Sequence, residues 1–161
     1  MQTEKECGWL TAGMTPVGPT DAERKAARVL QYRFEPMRQR LIDAGSVEAD
    51  KYDETFTEYL KWVYVAATAP APVGMFSKPV DAIFHQHHLF SREYMRFCDN
   101  YFGTFIHHDP APYPGVVDPV ECKKGFERFK ELYEAQFGAL HTMWSENTMH
   151  CCGHHHNGFM M

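Results

Sequence analysis

The sequence predicts an all-α domain: a compact bundle of about five helices joined by proline-rich loops, with a short His/Cys-rich tail. Three observations predict it. Apolar residues recur at helical spacing in several segments, Gly and Pro clusters punctuate them, and no alternating β-branched stretch competes.

Residues 1–19 mix Gly, Pro and Thr and read as an irregular N-terminal arm. Thr20 or Asp21 then caps a helical stretch with Val29, Leu30, Phe34, Met37 and Leu41 on its apolar side. Pro36 falls inside it and must kink or divide it, and Gly45-Ser46 ends it. A second helix runs from about Lys51 to Ala67, where Phe56, Tyr59, Leu60, Val63 and Tyr64 form one face. The run Ala69-Pro70-Ala71-Pro72-Val73-Gly74 breaks it.

A third helix starts near Ser77-Lys78-Pro79 and carries Val80, Ile83, Phe84, His87 and Leu89. Ser91 caps a short fourth helix, Arg92 to Phe102, which Gly103 ends. Asp109 to Gly115 is a proline-rich connection. Asp118-Pro119 opens the last helix, whose register runs through Phe126, Phe129, Tyr133, Leu140 and Trp144.

The 161 residues suit one domain, placed at 20–147, with a separate tail at 148–161. A formal charge of -5 and the lack of a Lys/Arg run argue against a nucleic-acid partner. No apolar run approaches a membrane span and no secretory signal opens the chain, so the expected address is the cytoplasm. The five cysteines are scattered, with no CxxC pair, which argues against a disulfide framework or a cysteine-only zinc finger.

Histidine is the unusual component: the chain has ten, and all lie beyond residue 84. The central cluster is Asp81, His85, His87 and His88, followed by His107-His108. Imidazole is the commonest side-chain metal ligand, and a carboxylate often completes the set. On a helix, Asp81, His85 and His88 share a face, whereas His87 points away from His85.

Two ligand sets follow from this pattern. One is Asp81, His85 and His88 with His107 or His108, a composition suited to iron or to zinc with bound water. The other is His85, His87 and His108, with Asp81 orienting an imidazole, which suits copper or zinc. Asp81 could instead simply cap its helix. Tyr94 reads as core with a hydroxyl able to reach the site, and Cys98 as a small buried hydrophobe. The tail His150-Cys151-Cys152-Gly153-His154-His155-His156 would bind copper, nickel or zinc in many conformations.

The stretch Phe56-Thr57-Glu58-Tyr59-Leu60, then Pro79 to His87, Tyr94, Phe97-Cys98, Phe102-Gly103 and Ile106-His107-His108-Asp109-Pro110 resembles the glycine-rich domain-containing protein-like family. The resemblance covers about residues 55 to 110. It implies a helical domain with Asp81, His85, His87, Cys98 and His108 at the motif positions, and it favours His87 over His88. Phe84 stands where that family has Trp, and the long glycine-rich tail of its plant members is missing.

The resulting expectation is a small metalloprotein doing oxidative chemistry at a mononuclear site, with iron or copper ahead of zinc. Asp81 and Tyr94 are the expected catalytic groups. His85, His87, His88, His107 and His108 are the expected ligands. Aromatic residues around the cluster would exclude water, and Glu93 is the one nearby carboxylate able to act as a hydrolytic base. The alternatives are a zinc hydrolase, a non-catalytic metal-binding or interaction module, and histidines that only hydrogen-bond within the fold. The motifs of phosphate-binding loops, GxSxG hydrolases and HExxH proteases are absent. The substrate, a small molecule or a peptide, and the oligomeric state are not specified by the sequence.

Overall fold

The computed structural model describes residues 18–108 and 118–146, together with the backbone pairing of Asn157 and Gly158. The expected N-terminal arm, the proline-rich connection and most of the tail lie outside the described residues.

Among the described residues, six helices form the bundle: α1 (Asp21–Val29), α2 (Glu35–Asp43), α3 (Tyr52–Thr68), α4 (Lys78–Leu89), α5 (Ser91–Phe102) and α6 (Pro119–Phe137). Two short strands, β1 (Phe105–Ile106) and β2 (Asn157–Gly158), pair antiparallel. Among the described residues no helix is long and apolar enough to cross a membrane.

Local chemistry explains the helix boundaries. Thr20 and Glu23 form a reciprocal capping box at the start of α1. Pro36 divides the first stretch rather than kinking it. It occupies the first turn of α2, where its missing N–H costs nothing. Phe90, not Ser91, is the N-cap of α5. Asp118 caps α6 by accepting from Val120 N at 2.8 Å.

The last helix ends earlier than its apolar register suggests. Gly138, at φ 80°, stops α6 after Phe137, so Leu140 and Trp144 lie on a segment that turns back over the bundle. The Trp144 indole then reaches α3, donating to Glu58 Oε2 at 2.7 Å.

Helix α3 is the centre. It packs against α1, α4 and α6, and is buried on most sides rather than along one stripe. Trp62, Tyr59, Leu60 and Val63 are fully buried there, each worth roughly 2–3 kcal/mol of apolar burial. Glu58 is also buried, yet its carboxylate accepts from Lys61, Tyr133 and Trp144. A buried charge is tolerable only with such a set of partners.

Helix α4 lies between α2, α3 and α5. Gly103 ends α5 in the left-handed region at φ 66°, donating its N–H to Cys98 O at 3.0 Å. This turn sends β1 back along α5, and it brings His107 and His108 toward α4.

Candidate metal centre

Asp81 and His85 stand one turn apart on α4 and so share a face. His108 arrives from the chain just after β1. His85 Nε2 and His108 Nε2 approach to 2.5 Å, and His85 Nε2 lies 3.5 Å from Asp81 Oδ1. One donor atom from each of the three falls within 4.8 Å of the others. Donors bound to a transition ion at about 2.0–2.2 Å would sit roughly 3 Å apart, so small side-chain adjustments suffice to surround one ion.

Asp81 does not cap its helix. Its Oδ1 is buried without a hydrogen-bond partner, although its side chain is 15% exposed. A buried carboxylate oxygen without a hydrogen bond is costly unless a positive charge stands near it, and here His85 Nε2 lies 3.5 Å away. Beside it, His85 is the exposed member, and His108 is half-buried.

Two aromatic residues hold His108 in place. Phe84 stacks on its ring at 5.4 Å with 16° between planes. Tyr94 donates its hydroxyl to Ile106 O at 2.6 Å, fixing the strand from which His108 projects. The Tyr94 hydroxyl, expected as a catalytic group, is thus engaged in positioning the backbone, and burial holds its pKa well above the usual tyrosine range.

The other histidines take different roles. His88 donates through Nδ1 to the Phe84 carbonyl at 3.0 Å, which leaves Nε2 as the lone-pair atom. That Nε2 is buried without a hydrogen-bond partner, close to the Ile106 carbonyl. Burial lowers the His88 pKa to about 4. Its ring lies 6.0 Å from that of His108, so it borders the triad without joining the converging donors. His107 is exposed and packs against Phe105 with ring centroids 4.8 Å apart.

His87 is fully buried and turned into the core. Tyr59 reaches its Nδ1 at 2.7 Å, and Tyr32 reaches its Nε2 at 3.2 Å while donating to Glu93 Oε1 at 3.0 Å. A carboxylate can only accept, so the Tyr32 hydroxyl donates its hydrogen bond to Glu93 and accepts one from His87 Nε2–H. His87 Nδ1 is then the acceptor for Tyr59. Both ring nitrogens are occupied in this way, and burial lowers the pKa to about 3. Helical geometry turns His87 away from the face of Asp81 and His85.

Tyr59 reads as apolar at its core spacing in the sequence, and Tyr32 carries no motif signal there, so neither is legible as a polar partner of His87. Glu93, expected as a nearby base, instead joins this chain and pairs with Arg96 at 2.9 Å. Cys98 is fully buried, and burial pushes its thiol pKa up, consistent with a packing role.

A family model described as UCP032817-like matches residues 24–132, about two thirds of the chain, from α1 into α6. The chain belongs to the UCP032817-like family. This corrects the resemblance to the glycine-rich domain-containing family, which rested on motif spacing across about a third of the chain. The UCP032817-like match takes in the triad and the His87 network together. No curated protein and no solved structure matches the chain.

Proposed function

We propose that this UCP032817-like protein holds one transition-metal ion through Asp81, His85 and His108 and uses it for oxidative chemistry. The observation that carries this reading is the convergence of two imidazoles and a carboxylate whose buried Oδ1 makes no hydrogen bond and faces His85 Nε2 at 3.5 Å. Two histidines and one carboxylate, leaving positions open, form the donor set of non-haem iron oxygenases, which puts iron ahead of copper or zinc. A bound iron would supply electron transfer to an oxidant and a position for substrate.

The chain's own residues supply the rest. Asp81 balances charge and fixes one side of the ion. His85, 46% exposed in its side chain, leaves access from solvent. Phe84 stacks on His108, and Tyr94 and Phe105 pack behind it, with Tyr94 6.2 Å from Phe84 and 5.1 Å from Phe105 between ring centroids.

The test is elemental analysis of full-length protein purified without a metal-affinity step. About one equivalent of iron, lost in both His85→Ala and His108→Ala, supports the reading. Stoichiometric zinc in place of iron would redirect it to hydrolysis or a structural module. Metal content unchanged in both variants would remove it.

A further inference from the structure

A cavity opens where the start of α2 meets the corner between α4 and α5. Its volume is about 340 Å³, at the lower end of the range for small-molecule sites. The lining is of two kinds. Phe34 and Phe90 pack edge to face with ring centroids 5.0 Å apart, and Leu89 extends this apolar side. Leu89 is 70% exposed, a large apolar side chain that the body of a ligand would cover. The charged side comes from the first two turns of α5, with Arg92, Glu93 and Arg96.

These charges do not cancel. Both oxygens of Glu93 are engaged: Oε1 accepts from Tyr32 at 3.0 Å, and Oε2 pairs with Arg96 at 2.9 Å. Arg92 lies one turn before Arg96 and makes no ion pair or hydrogen bond among the described residues. Two guanidinium groups against one carboxylate leave the cavity with a net positive charge. A guanidinium presents a planar fork that fits a carboxylate through two hydrogen bonds. The hydrogen bond from Tyr32 also anchors Glu93, and through it Arg96, to the buried network around His87. A charged wall held in place beforehand loses less freedom when a ligand arrives.

We propose that this cavity binds a small organic monocarboxylate, its charge met by Arg92 and Arg96 and its apolar body laid against Phe34, Leu89 and Phe90. An inorganic anion would answer the charge and leave the apolar side bare. A neutral hydrocarbon would leave Arg92 without a partner. The site is independent of the metal reading, since none of its lining residues belongs to the triad.

Calorimetric titration of the full chain with 3-phenylpropionate and with octanoate tests it. Saturable binding of at least one acid is expected, weakened at least about tenfold in Arg92→Gln and less in Arg92→Lys. Leu89→Ser should weaken it several-fold. The neutral 3-phenylpropionamide should bind at least about tenfold more weakly than its acid. Affinity should be unchanged in His85→Ala, which separates this cavity from a carboxylate bound at the metal.

No saturable binding of either acid to the wild-type chain would overturn the site. Full affinity in Arg92→Gln, or loss of binding in His85→Ala, would place the acid elsewhere and overturn it equally. Inorganic phosphate binding as tightly as the acids, with no effect of Leu89→Ser, would reduce the cavity to a bare anion contact and refute the apolar wall. Arg92 and Leu89 are both exposed, and unchanged helical circular dichroism establishes that their variants have folded.

Discussion

Tyr59 and His87 meet hydroxyl to ring nitrogen at 2.7 Å, and neither side chain reaches solvent. The contact joins α3 to α4, and Tyr32 and Glu93 extend it to α5. Each donor has one acceptor, and the charge on Glu93 sets the direction of the whole chain. Such a network rewards completeness: removing one member leaves a buried polar atom unpaired.

Tyr59→Phe is therefore expected to cost about 1–3 kcal/mol of folding stability, because His87 Nδ1 loses its only donor in this network. Tyr32→Phe should cost a similar amount. The double variant should cost less than the sum, by roughly 0.5 kcal/mol or more, since both act on one ring. Urea denaturation of the three variants measures this coupling, and strict additivity would argue against a continuous network.

Acid should weaken the metal-free protein through His87. Its pKa falls from 6.5 to about 3 on folding, so between those values the unfolded chain binds a proton that the folded chain refuses. Stability is unaffected by this group above pH 6.5 and declines as pH drops toward 3. At about pH 5 the loss from His87 alone is roughly 2 kcal/mol. Thermal melts from pH 7 to 4 in a chelator should show the slope, and His87→Gln should flatten it.

Glu58→Ala should be among the most destabilising single changes, at roughly 3–5 kcal/mol, because it strands Lys61, Tyr133 and the Trp144 indole at once. The C-terminal segment should detach first. A red shift of Trp144 emission below the main unfolding transition would report this, and a single coincident transition would refute it.

Tyr94→Phe isolates positioning from ligation. It removes the 2.6 Å bond to the Ile106 carbonyl and leaves every candidate ligand in place. Metal affinity should fall about tenfold while helical content is unchanged. An unaltered affinity would mean that β1 is held well enough by packing alone.

The helices were readable because each carries both an apolar period and punctuation: Thr20 with Glu23, Pro36, Gly103, and Asp118 with Pro119. Trp144 was misplaced because Phe137, Leu140 and Trp144 continue a helical spacing by coincidence, and Gly138 was the overlooked stop. The pairing of Asp81 with His85 was readable from their four-residue spacing. The choice among His87, His88, His107 and His108 was not. It depends on how α4 is rotated against α3 and where the turn after Gly103 delivers the chain, and both are decided by long-range packing. The UCP032817-like match likewise runs over residues 24–132, whereas the motif spacing covers only about a third of the chain.

Phe84 has Trp62 against it at 4.8 Å in the core and His108 stacked on it at 5.4 Å. The two surroundings share one rigid plate. A change of volume at Trp62 is thus transmitted to the bite of His108 on its ion, and in related chains positions 62 and 84 should drift together or not at all. The stiffness of the interior sets the tolerance of the site, so this protein can retune its donor geometry by exchanging an indole for a smaller ring deep in the bundle, without touching a single ligand.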